Sequence, residues 1–400
     1  MNIALKTAYF GWLLQTAEWQ SANASVERLA SQSGRSALRL WCDLLWCAFW
    51  YGATFDDYFL LRFHEKTETE RSTYITMREW RHHRKRVNRE SHVNLFRDKG
   101  LFAERFREFF RRESCDLRKV SKEEAVAWIA KRDQVVGKLP LGLQGIGILK
   151  IAPQEVGGAE AAWQRFVESG ATFLEELIVQ HPAVARFNPE SVNTVRVITL
   201  RHRDRVEIMC ARFGIGNGAL ADNIPAGGVA ASVELDSGVL GGLHHKKDTT
   251  LLDCHPRTGV FVRGEVLPHW QAVLQLAVEA AKVVPEIRSV GWDIAILPDG
   301  VCLVEGNDNW GHVFPQVMAG RGLKFFFGSD GARGLAGCAG KGAIVYAAES
   351  ISTAGYSVFV VRNTLTKACL ATPAWPASRA GDRRQVPATP EIAGRCSRDV

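Results

Sequence analysis

The residues best able to do chemistry in this chain sit in one stretch: Gly291-Trp292-Asp293-Ile294-Ala295-Ile296, then Pro298-Asp299-Gly300, then Leu303-Val304-Glu305-Gly306-Asn307. Two short apolar runs joined by Pro-Asp-Gly read as a β-hairpin. Residues two apart on a strand face the same side, so Glu305 and Asn307 point together, and hairpin pairing brings Asp293 beside them. Two carboxylates and an amide oxygen are hard donors suited to Mg²⁺, which completes its shell with water and phosphate oxygens. The plain alternative is a surface hairpin with ordinary polar residues. It leaves two acids unexplained among apolar neighbours, where an unpaired charge is costly.

A second group lies upstream. Val135-Val136-Gly137-Lys138 ends a candidate strand on a lysine, and Gly142, Gly145 and Gly147 precede the next run, Ile148 to Ile151. Glycines let backbone N–H groups approach phosphate oxygens, and Lys138 supplies a compact positive charge. No Gly-Lys-Ser/Thr opens a helix, so this is not a Walker loop, and a structural hairpin is the alternative. Phe173 to Pro182 carries Glu175 and Glu176 on an apolar run. It reads as an interlobe strand able to meet an adenine edge, or as a strand or helix with exposed acids. Thr194-Val195-Arg196 and, past Val206 to Ala211, Arg212 place two arginines at core strands. Buried there, they require anionic partners, either substrate or structural acids. Asp222-Asn223 with Gly227-Gly228 marks a loop able to approach substrate, or a plain turn.

These groups need elements to hold them. From about Ser36 to Arg118 apolar residues recur at three- and four-residue spacing, which predicts helices. Within this span Tyr74 to Arg89 is strongly basic, read as a solvated helix face or a contact for an acidic partner or lipid headgroups. The apolar stretch Leu38 to Leu61 is interrupted by Arg39, Asp43, Asp56 and Asp57. That pattern suits a buried or surface-lying helix rather than a spanning one. Near Arg132 the texture changes to short strands (Gln134–Val136, Gly147–Ile151, Thr194–Leu200, Val206–Cys210, Asp293–Leu297, Val301–Val304) with a helix over Trp270–Val283. Strands mixed with helices predict an α+β or α/β core. Beyond Gly328 the chain is rich in Gly, Ala, Arg and Pro, with one strand-like run at Tyr356–Val361, and reads as a poorly ordered or accessory tail.

Taken in order, Asp57-Tyr58, Asp98-Lys99 with Phe102, Val136-Gly137-Lys138, Glu175-Glu176, Ser191 to Arg196, Asp222-Asn223 with Gly227-Gly228, His255-Pro256 with Thr258-Gly259, Pro268 with Trp270, and Gly291 to Asn307 resemble the sugar-transfer-associated ATP-grasp family. The resemblance runs from about Leu38 to Pro315. It implies an ATP-grasp fold, α+β, in which two lobes sandwich ATP behind a helical N-terminal region. The expected parts are a helical region at 1–120, an ATP-grasp domain at 121–327 and the tail at 328–400. The resemblance assigns Lys99 and Lys138 to phosphate contact, Glu175 or Glu176 with Ile178 to adenine, and Asp293, Glu305 and Asn307 to magnesium. Arg196 and Arg212 would face the transferred phosphoryl group. The family's usual Lys-Pro pair appears here as Lys138-Leu139-Pro140. ATP and Mg²⁺ are thus the implied cofactors, and a carboxylate with a nucleophilic acceptor the implied partners, near polysaccharide assembly.

Composition bounds these readings. The chain has 400 residues, 46% of them hydrophobic and 23% charged, with formal net charge +7. That is an ordinary globular composition with room for a large core. The basic excess suits phosphorylated substrates or an anionic membrane surface, with peripheral contact at most. No RNP-like motif, zinc finger or helix-turn-helix signature points to nucleic acid. The nine cysteines are scattered, without a C-x-x-C pair, and read as free thiols in a reducing compartment, hence a cytoplasmic protein. Met1 to Gln20 does not read as a signal peptide. No Gly-x-Ser-x-Gly or Cys-His arrangement announces a side-chain nucleophile.

Overall fold

The computed structural model describes residues 3–139, 147–203, 205–217, 228–245 and 248–327, together with the backbone of 346–353, 356–363 and 369–372. Three helices open it: α1 (Ile3–Thr16), α2 (Trp19–Ser33) and α3 (Ala37–Trp50), packed around Leu13, Val26, Leu40 and Leu44. Helicity thus begins well before Ser36. Two short helices follow, α4 (Phe55–Leu60) and α5 (Glu68–Ser72), each started by a capping box, Thr54 with Asp57 and Thr67 with Glu70. These reciprocal bonds satisfy backbone N–H groups that six- and five-residue helices would otherwise leave open. Next come α6 (Met77–Val87), α7 (Glu90–Arg97), α8 (Lys99–Arg105) and α9 (Arg107–Phe110). The basic helix α6 is more than a solvated face, since Arg78, Trp80 and His83 are buried.

A small antiparallel sheet follows. It holds β1 (Ser114–Asp116), β2 (Val135–Lys138), β3 (Leu149–Ile151) and β4 (Phe173–Glu176) in the order β1-β4-β2-β3. Helices α10 (Lys122–Ile129) and α11 (Ala159–Glu168) close its core through Ile129, Val135, Phe166 and Leu174. Gly137 belongs to this packing: a Cβ there would lie 2.4 Å from the Phe166 ring. The strand expected over Phe173–Pro182 stops at Glu176. Leu177 to His181 then leave the small sheet, His181 N–H reaches Ile296 C=O at 2.8 Å, and α12 (Pro182–Ala185) begins.

The large sheet has ten antiparallel strands. They are β5 (Thr194–Arg201), β6 (Val206–Ile215), β7 (Val229–Val233), β8 (Leu240–His245), β9 (Leu251–Leu252), β10 (Ser289–Leu297), β11 (Gly300–Asn307), β12 (Tyr346–Thr353), β13 (Tyr356–Asn363) and β14 (Cys369–Thr372). The main path is β11-β10-β5-β6-β12-β13-β14, with β7, β8 and β9 branching from β6. Helix α13 (Trp270–Val283), as expected from its Ala- and Leu-rich run, covers one face together with Phe96, Phe102 and Phe106 from α7 to α9. Ile75, Trp80, Trp310 and Leu323 cover the other, beside α14 (Val313–Ala319). With both faces covered, β10 is buried from Ser289 to Ile296, which explains its near-continuous apolar run. Both hairpin strands start earlier than the apolar runs suggest, so Asp293 sits in mid-strand.

Candidate functional site

The site is built on strand register. Glu305 pairs with Asp293, Asp293 with Arg196, and Arg196 with Arg212. Directly opposed residues project to the same face, so four charged side chains form a row across β11, β10, β5 and β6. Strands about 4.8 Å apart set the spacing of that row. Asn307, two residues past Glu305, joins the same face. Gly306 between them turns to the opposite face, where a Cβ would lie 3.0 Å from each of Phe96, Phe102 and Trp292. The Glu-Gly-Asn order therefore has a packing cause: the aromatic layer leaves no room at the middle position.

Arg196 grips Asp293 with two bonds, Nε to Oδ1 at 2.6 Å and Nη2 to Oδ2 at 2.5 Å. Asn307 Nδ2 donates to Asp293 Oδ2 at 3.1 Å and to Glu305 Oε1 at 3.2 Å. The three expected metal ligands are thus in mutual contact. Among the described residues no three His, Cys, Asp or Glu side chains cluster as a metal site, so an ion here needs the amide as its third donor. Turning the Asn307 amide over presents oxygen where nitrogen now donates. This set of hard oxygen donors fits Mg²⁺. Burial raises the Asp293 carboxyl above its ordinary value, against the pull of Arg196. Burial also pushes Glu305 upward, but Lys99, Arg196 and Lys138 outweigh it and hold that carboxyl low.

Across from this row the small sheet contributes Lys138 and Glu175. Together with Lys99, Glu305 and four phenylalanines (Phe96, Phe102, Phe110 and Phe173) they line a narrow cleft between the two sheets. Lys99 is the first residue of α8, whose N-cap Asp98 accepts from Gly100 N–H at 3.0 Å and Leu101 N–H at 3.1 Å. Arg118 in turn holds Asp98 through two bonds of 2.6 and 2.8 Å. Lys99 so reaches Glu305, Nζ to Oε2 3.8 Å. The Lys138 ammonium is paired with Glu175 Oε1. Burial holds it below its ordinary value while Glu175 opposes that shift.

Arg112 completes the cleft and was not singled out by sequence reasoning. It donates to Glu175 Oε2 at 2.9 and 3.2 Å, to Leu303 C=O at 2.7 Å and to Phe110 C=O at 3.0 Å. One guanidinium therefore ties the small sheet to β11 of the large one. Burial alone would raise the Glu175 carboxyl, but Arg112 and Lys138 bring it down to about 2. Glu175 thus spends both oxygens on cations of the chain, whereas Glu176 is half-exposed and pairs with Arg132 at 3.1 Å. Ile178, also half-buried, lies in the crossing segment.

The other predicted positions divide. Gly147 has φ +75°, a conformation that favours glycine, and a Cβ there would strike Leu139. Gly142, Gly145, Asp222, Asn223 and Gly227 lie outside the described residues. Arg212 lines a pocket of about 230 Å³ with Ser232, Glu234, Met209, Met318 and Arg321. A second tie to the N-terminal region is Asp57. Its carboxylate contacts His312 Nε2 at 2.7 Å and accepts from Thr54 N–H at 3.0 Å and Met77 N–H at 2.8 Å. This buried link anchors the segment just past Asn307. Asp57 belongs to the set that carries the family resemblance, but nothing in the sequence couples it to His312.

Residues 167–326 match the family described as sugar-transfer associated ATP-grasp. The protein is α+β, with a helical N-terminal region ahead of the segment that matches the family. Three similar solved structures are the ATP-grasp ligase PsnB with a minimal precursor, D-alanyl-alanine synthetase A from Vibrio cholerae O1 biovar eltor str. N16961, and an L-amino acid ligase from Bacillus licheniformis. The first shows 16% identity over 59% of this chain and 58% of that one, TM-score 0.33. The second shows 12% identity over 61% and 64%, TM-score 0.36. The third shows 9% identity over 66% and 56%, TM-score 0.36. In each case the chain spans less than two thirds of the solved protein's length. No curated protein matches the chain.

Proposed function

We propose that this chain is a magnesium- and ATP-dependent ligase that activates a carboxylate as an acyl phosphate and passes the acyl group to an amine or similar nucleophile. The observation that carries the reading is the row Glu305, Asp293, Arg196 and Arg212 on one sheet, with Lys99 and Lys138 at the adjoining cleft. Acids grouped at one end and cations along the rest suit a polyphosphate with its metal. The match of residues 167–326 to the sugar-transfer associated ATP-grasp family supports the same reading.

In this scheme Asp293, Glu305 and Asn307 hold magnesium, whose charge offsets that of the phosphates. Lys99 and Lys138 bind phosphate oxygens, and the glycine loop with Gly142, Gly145 and Gly147 covers them. The segment of Glu175, Glu176 and Ile178 faces adenine, with Glu175 setting the position of Lys138. Arg196 and Arg212 hold the transferred phosphoryl group. A carboxylate oxygen attacks the γ-phosphorus and ADP leaves. The nucleophile then attacks the acyl carbon and phosphate leaves. The chain positions reactants and offsets charge, which is how phosphoryl transfer is generally accelerated. We place the reaction in the cytoplasm, serving surface-polysaccharide assembly. The family's description suggests the sugar link, and the free thiols of Cys42, Cys47, Cys115, Cys210 and Cys302 suit a reducing compartment.

Hydroxylamine trapping tests the chemistry. With ATP, magnesium and a panel of carboxylates, the ligase reading predicts hydroxamate in step with ADP release. ADP release with a phosphorylated hydroxyl and no hydroxamate contradicts it and makes the protein a kinase.

A further inference from the structure

The N-terminal helices carry a surface the nucleotide site does not use. On α3 the residues Leu38, Cys42, Trp46 and Trp50 recur every four positions, and all are exposed: Leu38 by 73%, Trp46 by 46% and Trp50 by 45%. Helix α3 buries Leu40, Leu44 and Cys47 inward, so this is a second apolar stripe, facing out. Trp46 and Trp50 stack at 5.4 Å. Beside them α1 is apolar on every side except Lys6 and a few small polar groups, yet it leaves Ile3, Leu5 and Trp12 exposed. A helix apolar all round belongs against apolar surroundings.

Cations border this surface. Lys6 Nζ sits 3.4 Å from the Trp50 ring centre, and Arg81 of α6 lies over Trp12 at 4.6 Å. Helix α1 thus joins the tryptophan stripe of α3 to the basic face of α6, where Arg81 and Lys85 are one turn apart and exposed. The only acid on α6, Glu79, is paired with Lys324. No helix among the described residues is long and apolar enough to cross a bilayer.

We propose that α1, α3 and α6 form a face that docks on an anionic membrane surface, with the tryptophans at headgroup depth and the α6 cations on acidic lipid. Tryptophan and basic side chains together mark helices that lie in the bilayer interface. The cations flanking the stripe, Lys6, Arg81 and Lys85, are of one sign and complement acidic lipid headgroups. The inference rests on the N-terminal helices alone, so it stands or falls independently of the nucleotide site.

Flotation of the full chain with lipid vesicles tests it. Binding to phosphatidylcholine vesicles containing phosphatidylglycerol is expected, with a blue shift of tryptophan fluorescence and loss on adding salt. Vesicles of phosphatidylcholine alone should bind far less. Arg81→Glu/Lys85→Glu should lower partitioning at least about tenfold, and Trp46→Ser/Trp50→Ser should abolish the blue shift. Thermal unfolding of both variants, exposed-surface changes by design, checks that they fold. A native chain that ignores acidic vesicles at low salt overturns the proposal. So does undiminished binding by the folded variants, or a native dimer that Trp46→Ser/Trp50→Ser converts to a monomer that binds vesicles as the native chain does.

Discussion

Glu175 and Glu305 line the same cleft from opposite sheets, yet their surroundings differ in kind. Glu175 has a side chain only 4% exposed, with Lys138 on one oxygen and Arg112 on the other. Glu305 is 42% exposed, and its cation, Lys99, stands 3.8 Å away. The first acid is neutralised by the chain itself and acts as a fixed part of the framework. The second shares a loose contact with Asn307 and retains room for an external cation. A buried carboxylate with two cations therefore reads as a positioning device, and a half-open one beside other oxygen donors as a ligand site.

Breaking the framework acid's partner should have the largest effect. Arg112→Met leaves Glu175 buried with one cation and cuts the tie to Leu303 C=O. We expect a loss of about 3–5 kcal/mol, read as a lower denaturant midpoint. Lys138→Met should do less to stability, because Arg112 still holds Glu175. It should weaken ATP by about tenfold, roughly 1.4 kcal/mol, measured by calorimetry. If Lys138→Met unfolds the chain as badly as Arg112→Met, the distinction between frame and ligand groups collapses.

His83 sharpens the same contrast away from the cleft. It is buried against Phe327 with neither ring nitrogen hydrogen-bonded, and burial pushes its pKa down to about 3. Between that value and the unfolded value of about 6.5, the unfolded chain binds the extra proton. Stability from this site is therefore full above the unfolded value and falls as pH drops toward the folded one, by up to about 1.4 kcal/mol per pH unit. His83→Phe should flatten the fall in melting temperature between neutral pH and about pH 5. The smallest effect is expected for Glu176→Gln. This partly exposed partner of Arg132 should cost under about 1 kcal/mol, and a larger loss would mean that Glu176 belongs with Glu175.

The hairpin from Gly291 to Asn307 was legible because its signals are local: a Pro-Asp-Gly turn, a short apolar run on each side of it, and acids where apolar residues are expected. Strand β10 starts four residues before Asp293 because Ser289, Val290 and Gly291 pair with β5, and such pairing leaves no mark in the run itself. The grip of Arg196 on Asp293 is likewise set by register between segments about a hundred residues apart. Arg112 was illegible among the arginines of a helical region; only the approach of two sheets distinguishes it. The bounds of helix α1, inside the region expected to be helical, leave no mark in the sequence, because an evenly apolar helix has no periodicity to read. The reason Glu175 is special, two cations from separate elements, lies wholly in tertiary structure.

The most direct test of the account is calorimetric titration of ATP, with and without Mg²⁺, into the native chain and Asp293→Ala/Glu305→Ala. The account predicts magnesium-dependent binding that the folded double variant loses by about a hundredfold or more, some 2.7 kcal/mol. Equal affinity in both proteins, or no binding by a folded native chain, contradicts it.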